Sequence, residues 1–181
     1  MKTILNIILA ALVIMNLACN KQSGPGDEEV LAIEDLLVEN NEITGWTYSS
    51  TNWIANNITE LTTYINGGAE IYQSYGFVEG ACQSYEGSVG DGVRELKVTI
   101  YNMSTESNAS DTYDDPNCGI SGGTDWPDGA GVRANFIRHG LAQELAFYKS
   151  SYFVKININY DSDESLNIIK QFALNIDGKI Q

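Results

Sequence analysis

Hydrophobic and polar positions change rhythm several times along this chain, and each change predicts an element. An apolar run comes first, from Ile4 to Cys19, and its longest uninterrupted piece is Ile7 to Met15. That piece is too short to cross a bilayer core of ~30 Å as a helix. "NKQSGPGDEE" follows, polar and without apolar periodicity, which predicts a flexible spacer. "ITGWTYS", Ile43 to Ser49, reads as a first strand. From about Asn52 to Tyr75 the spacing turns helical, with Leu61, Tyr64, Ile65, Ile71, Tyr72 and Tyr75 on one face. Gly68 falls in the middle of that face, where a missing side chain would let the helix approach a sheet, at ~1 kcal/mol against Ala. Gly67 lies to one side and is a candidate left-handed cap ending a first helix. Asn66 and Glu70 point away from the apolar face together.

Alternation takes over next. "YGFVEGACQSYEG" and "RELKVTIYNM" read as strands joined by the turn-rich "GSVGDG". In the second, Leu96, Val98 and Ile100 alternate with Glu95, Lys97 and Thr99. Ser104 is placed to cap a short helix through Tyr113, and "DDPNCGISGGTDWPDG" is a long loop. "AGVRANFIRHG", "LAQELAFYKSS" and "YFVKININY" are three further strands, the last with Val154, Ile156 and Ile158 against Lys155, Asn157 and Asn159. Asp161 and Glu164 resemble a capping box. Leu166, Ile169, Phe172, Ala173 and Ile176 then make a helical stripe that Gly178 ends. The predicted fold class is α+β: residues 30–181 form a single domain built on a mainly antiparallel sheet of about five to six strands. A long N-terminal-side helix and a C-terminal helix pack on that sheet.

The apolar leader changes where this domain is expected to work. With Lys2 before it and "NLAC" at its end, residues 1–18 read as a signal peptide. Leu17, Ala18 and Cys19 resemble the lipobox of bacterial lipoproteins, which implies cleavage before Cys19, diacylglycerol on its thiol and acylation of the new amine. Two or more acyl chains, at ~0.8 kcal/mol per buried CH2, anchor stably. Residues 19–29 are then the lipidated cysteine and its tether. The expected location is a bacterial cell envelope, on the outer membrane facing the periplasm or the cell surface, with the membrane itself a partner through the lipid.

Charge narrows the partners. The formal net charge is −14; without Lys2 nine basic residues face twenty-four acidic ones, giving −15. Such a chain has little with which to neutralise phosphates, which argues against nucleic acid. Cys82 and Cys118 remain once Cys19 is lipidated, and an even pair in an oxidising compartment suggests a disulfide, contributing ~3–4 kcal/mol for a loop of this size. The alternative is two separate thiols.

"TELTTYINGGAEIYQSYGFVEGACQSYEG", followed by "LKVTIYNMSTESNASDTY", resembles a family of uncharacterised exported bacterial proteins carrying the DUF6599 domain. Tyr64 to Glu70, Tyr72, Tyr75, Gly76, Phe77, Ile100, Tyr101 and Met103 match its pattern. Asn102 stands where the family has an acid, and "ASDTY" replaces an Ala–Phe–Gly segment. The resemblance implies no activity.

Candidate chemistry is sparse. Asn66 with Glu70, beside Gly67 and Gly68, is a polar pair offered to a ligand, or else a solvated helix face. His139 is the one histidine and sits in "RHG", a turn, without partners for a zinc site or a triad. The loop acids Asp111, Asp114, Asp115, Asp125 and Asp128 are hard-oxygen calcium candidates, without EF-hand spacing. No cofactor motif appears. Two functions follow: a non-catalytic module binding an envelope protein or small ligand, and, as the alternative, an envelope hydrolase or transferase using Glu70 and a loop carboxylate as an acid–base pair.

Overall fold

A computed structural model describes residues 31–181, so the signal peptide, Cys19 and the tether lie outside the described residues. Seven strands form one sheet: β1 Trp46–Ala55, β2 Glu79–Val89, β3 Gly92–Asn102, β4 Thr124–Asp125, β5 Arg133–Arg138, β6 Gln143–Lys149 and β7 Tyr152–Ile158. The helices are α1 Ile58–Ile65, α2 Ala69–Ser74, α3 Glu106–Asp114 and α4 Asp163–Lys179. Strand order is β1-β2-β3-β7-β6-β5-β4, and every neighbouring pair is antiparallel. The domain is therefore α+β with an antiparallel sheet, as predicted, but with seven strands rather than five to six. Two meanders, β1–β3 and β4–β7, meet where β3 pairs β7.

The alternation read in β3 and β7 sets the two faces of that sheet. Leu96, Val98 and Ile100 pair with Ile158, Ile156 and Val154, and all six are buried. The helical stripe of α4, Ile169, Phe172, Ala173 and Ile176, lies in the same core cluster, with Ile33 and Leu36 of a short 3₁₀ turn (Ile33–Leu36) beside it. A buried polar group locates the start of α4. Gln143 Nε2 donates to Asp161 Oδ1 and to the Ser162 carbonyl, both at 2.8 Å, while Ser165 Oγ donates to Gln143 Oε1 at 3.1 Å. The capping box belongs to Ser162 and Ser165, not to Asp161 and Glu164. Asp161 is occupied by Arg138 and Gln143 side chains and the Gly140 N–H. Gly178 does not stop the helix, which runs on to Lys179.

The opposite face carries the largest departures from the predicted pattern. Asn52 to Ala55 belong to β1, paired with Gln83 to Gly80 beyond an irregularity between Tyr48 and Asn52. The shift is two residues, so alternation carries through it: Trp53 lies on this face and Trp46 on the other, against Phe172. The helix begins only after Asn57, whose side chain accepts the Glu60 N–H at 3.0 Å while Glu60 accepts the Asn56 N–H at 2.8 Å. Nor is it one long helix. Asn66 takes φ 51°, ψ −138°, and Asn66–Gly68 form a 3₁₀ turn between α1 and α2. Around the break Ala69 and Tyr72 are buried, whereas Gly67 and Gly68 are exposed and a Cβ on either would touch nothing within 4 Å. Gly67 has no positive φ, so the left-handed residue is Asn66. Thr105 rather than Ser104 caps α3. Leu31–Gln181 form one compact unit, and no helix among the described residues is long and apolar enough to cross a membrane.

One glycine does make a close approach. A Cβ on Gly87 would lie 2.5 Å from the Trp46 ring, its cross-strand partner. Gly87→Ala should therefore displace Trp46 and cost about 1–3 kcal/mol in a denaturant melt, as overpacking does. Gly68→Ala, in open space with helical φ −71°, should instead be neutral or stabilising by about 0.4–1 kcal/mol. The reverse order of stabilities would contradict this packing.

Candidate functional site

On the face opposite α4 the strands carry Trp53, Cys82, Thr99, Tyr101, Lys97, Phe153, Lys155 and Asn157, by register and alternation. The short helices cover only part of it. Tyr72 stacks on Tyr101 at 4.2 Å, Tyr101 on Phe153 at 6.1 Å, and Leu61, Ala69, Ala109 and Cys118 complete a buried second core. Burial drives the Tyr101 and Tyr72 phenols well above their ordinary range, so both stay neutral.

Beyond that core the face opens into a cleft of about 490 Å³. One wall is aromatic: Trp53 from β1 lies parallel to Tyr64 from α1, 5.1 Å apart at 9°. The break after Ile65 ends α1 beside this cleft, and Ile65 lines it. Cys82, Thr99 and Tyr101 line it from the sheet, and Ser50, Asn52 and Thr63 add hydroxyl and amide groups. Lys97 lines this cleft and also a second one, of about 210 Å³, bounded by Glu95, Asn157 and Asn159. The two share an edge at that lysine. The helical spacing from about Asn52 takes in Trp53, and the alternation of β3 separates Lys97 from the apolar positions without marking it as a site residue. The β-rich "WTYSSTNWIA" carried the missed signal.

The predicted site residues fall elsewhere. Asn66, Gly67, Gly68 and Glu70 are all exposed around the helix break, and none lines this cleft. Glu70 sits in the first turn of α2 and lines neither this cleft nor the one beyond Lys97.

Cys82 and Cys118 are both buried and unbridged, which corrects the disulfide expectation. Cys82 faces Thr99, whose hydroxyl lies 3.7 Å from the sulfur. Cys118 belongs to the Tyr72–Tyr101 core. Burial pushes both thiols up, that of Cys118 to about 11, with the Asp115 charge adding to it.

The loop acids do not assemble either. Asp114 binds Arg133 at 2.9 Å. Asp115 accepts from the Asn117 N–H at 2.7 Å and the Tyr75 hydroxyl at 2.8 Å, and these bonds hold its carboxyl below the ordinary range. Asp125 and Asp128 line a separate loop cavity of about 400 Å³. No cluster of three metal-ligating side chains occurs among the described residues, so the calcium candidates are not gathered at one place. The loop cavity's own aromatic and cation are already engaged, Trp126 by Lys170 at 4.9 Å and Arg133 by Asp114 and the Tyr113 ring. His139 reaches only Glu144, at 3.4 Å in its turn.

No family model, curated protein or solved structure matches the chain. The likeness to the DUF6599 family rests on the quoted motif alone.

Both thiols should resist alkylation in the folded protein well into alkaline pH. A raised thiol pKa leaves little thiolate until pH approaches that value, and burial blocks the reagent besides. Differential labelling and peptide mapping should find Cys82 and Cys118 unreacted in native protein at pH 8 and both reacted in guanidinium without reductant. A linked peptide pair in denaturant would contradict the structure.

Proposed function

We propose that this protein is a non-catalytic binding module, lipid-anchored in a bacterial envelope through Cys19, whose ligand occupies the cleft over β1–β3. The observation that carries the binding reading is the cleft itself. Its volume lies within the range of about 300–1,000 Å³ usual for small-molecule sites, and it combines flat apolar rings with a few convergent polar groups. Among the clefts described it joins a stacked aromatic wall to a cation that no carboxylate occupies. What supports the anchor is the apolar leader with "NLAC" at its end, followed by a polar tether.

The test has two arms on full-length protein. Intact-mass analysis of membrane-extracted protein should show acyl mass at Cys19, and Cys19→Ala should release the protein into the soluble fraction. An unacylated Cys19 would end the anchor reading. For the cleft, a panel of envelope oligosaccharides and peptides is titrated by thermal shift. At least one should raise the melting temperature of wild type, unchanged in covalent structure afterwards, and Tyr64→Ala and Trp53→Phe should weaken it. Tyr64 is 47% exposed, so its truncation spares the core. Binding indifferent to both substitutions would refute the cleft reading.

A further inference from the structure

The described cations divide sharply by partner. Arg94, Arg133, Arg138, Lys149 and Lys179 each hold a carboxylate, and Lys170 lies over the Trp126 and Phe136 rings. Lys97 and Lys155 have neither a carboxylate within ion-pair distance nor a ring beneath them, among the described residues. They are also neighbours. Thr99 pairs Lys155 and Lys97 pairs Asn157 across β3 and β7, so the two lysines stand on one face of the sheet as a diagonal pair, at the ~7–8 Å such pairs adopt, Lys97 lining the cleft and Lys155 just outside its lining, beside Thr99.

We infer that the cleft takes a short acidic saccharide, its carboxylate held by Lys97 and Lys155 and a sugar ring laid against the Trp53–Tyr64 wall. This rests on the cleft being the binding site. Sugar rings present an apolar C–H face and a rim of hydroxyls. The site offers aromatic rings for the first, and Ser50, Asn52, Thr63 and Thr99 for the second. A peptide is a poorer fit. The cleft lies on the face of the sheet, where backbone groups of β2 and β3 are spent in the ladders, so it cannot extend a peptide as an added strand. The second cleft beyond Lys97 gives room for a further sugar unit beside the Asn157 and Asn159 amides. Glu95 borders that second cleft, which sets the carboxylate on the Thr99–Lys155 side of Lys97. The protein's net negative charge does not forbid a small anion. Exposed charges beyond about 8–10 Å are largely screened at physiological salt, so the two local cations decide. A nucleic acid, with charge along its whole length, meets the rest of the acidic surface.

Trigalacturonate, the neutral galactose trisaccharide and the peptide Glu-Gly-Glu serve as probes, titrated calorimetrically into full-length protein in detergent micelles. Trigalacturonate should bind, more weakly at higher salt, and the neutral trisaccharide about tenfold less tightly, the effect of one charge-assisted hydrogen bond. Lys97→Gln with Lys155→Gln should remove that preference while the melting temperature stays at the wild-type value, since neither lysine holds an internal partner. No binding of trigalacturonate at millimolar concentration, equal affinity for the neutral sugar, preference for the peptide, or a preference unaffected by the double substitution would each overturn the inference. Equal affinity for the neutral sugar, lost in Tyr64→Ala, would leave the binding-module reading standing. Binding that ignores Tyr64 and Trp53 would remove both.

Discussion

The seam between β3 and β7 is the interaction on which the rest of the structure depends. Seven residue pairs, from Leu96↔Ile158 to Asn102↔Tyr152, join two antiparallel meanders into one sheet. Without it each meander would expose a long edge and half a core. The seam is buried on one face along Leu96, Val98 and Ile100 with their partners, and on the other face where Tyr101 meets Phe153 and at Thr99, with Lys97 left exposed. Every other feature follows from this unequal covering. The pairing is also distant in sequence, since all of α3, β4, β5 and β6 lie between its strands. Closing so long a loop costs entropy that only cooperative burial on both faces can offset.

The two faces solve the covering problem differently. One long amphipathic helix, α4, closes the first, held in place by the Gln143–Asp161–Ser165 bonds and by Lys179, which donates to the Leu37 carbonyl and pairs with Glu42. On the second face the covering comes in short pieces. The turn at Asn66 directs α2 so that Tyr72 reaches Tyr101, and α1 stops where Tyr64 meets Trp53. The remaining strip of sheet carries polar side chains and two lysines without internal partners. A cleft there is a consequence of how far the helices extend, and its charge is a consequence of where the other cations are spent.

Patterns confined to one element were legible in the sequence. The alternation of β3 and β7 and the stripe of α4 are each read at one period and buried on one face, so periodicity alone located them. Features set by contacts between elements were not legible. The irregularity in β1 interrupts its pairing partway, and the apolar positions after it also fit the helical spacing that follows, so Asn52 to Ala55 match a helix as well as they match a strand. Asn66 breaks a stripe that looks continuous, because Ala69 and Tyr72 after the turn sit near the positions a straight helix would give them. Cys82 and Cys118 look like a pair by number and compartment, yet each is buried against its own neighbours. The candidate site was the least legible part: its wall joins β1 to α1, and its lysine, with Lys155, is distinguished only by the pairing of the other described cations. The Asn66–Glu70 motif forms a turn whose left-handed residue is Asn66 rather than either glycine.

Amide hydrogen exchange, followed residue by residue on the folded domain, tests the seam most directly. Residues of a common core that open only on global unfolding share the slowest rates, while edges and short helices exchange through local opening. Val98, Ile100, Val154 and Ile156 should be the slowest amides and should exchange together, with β4 and α2 far faster. If the β3 and β7 amides exchange as fast as those of the edge strand β4, or if the two meanders open as separate units, the seam does not hold the molecule together.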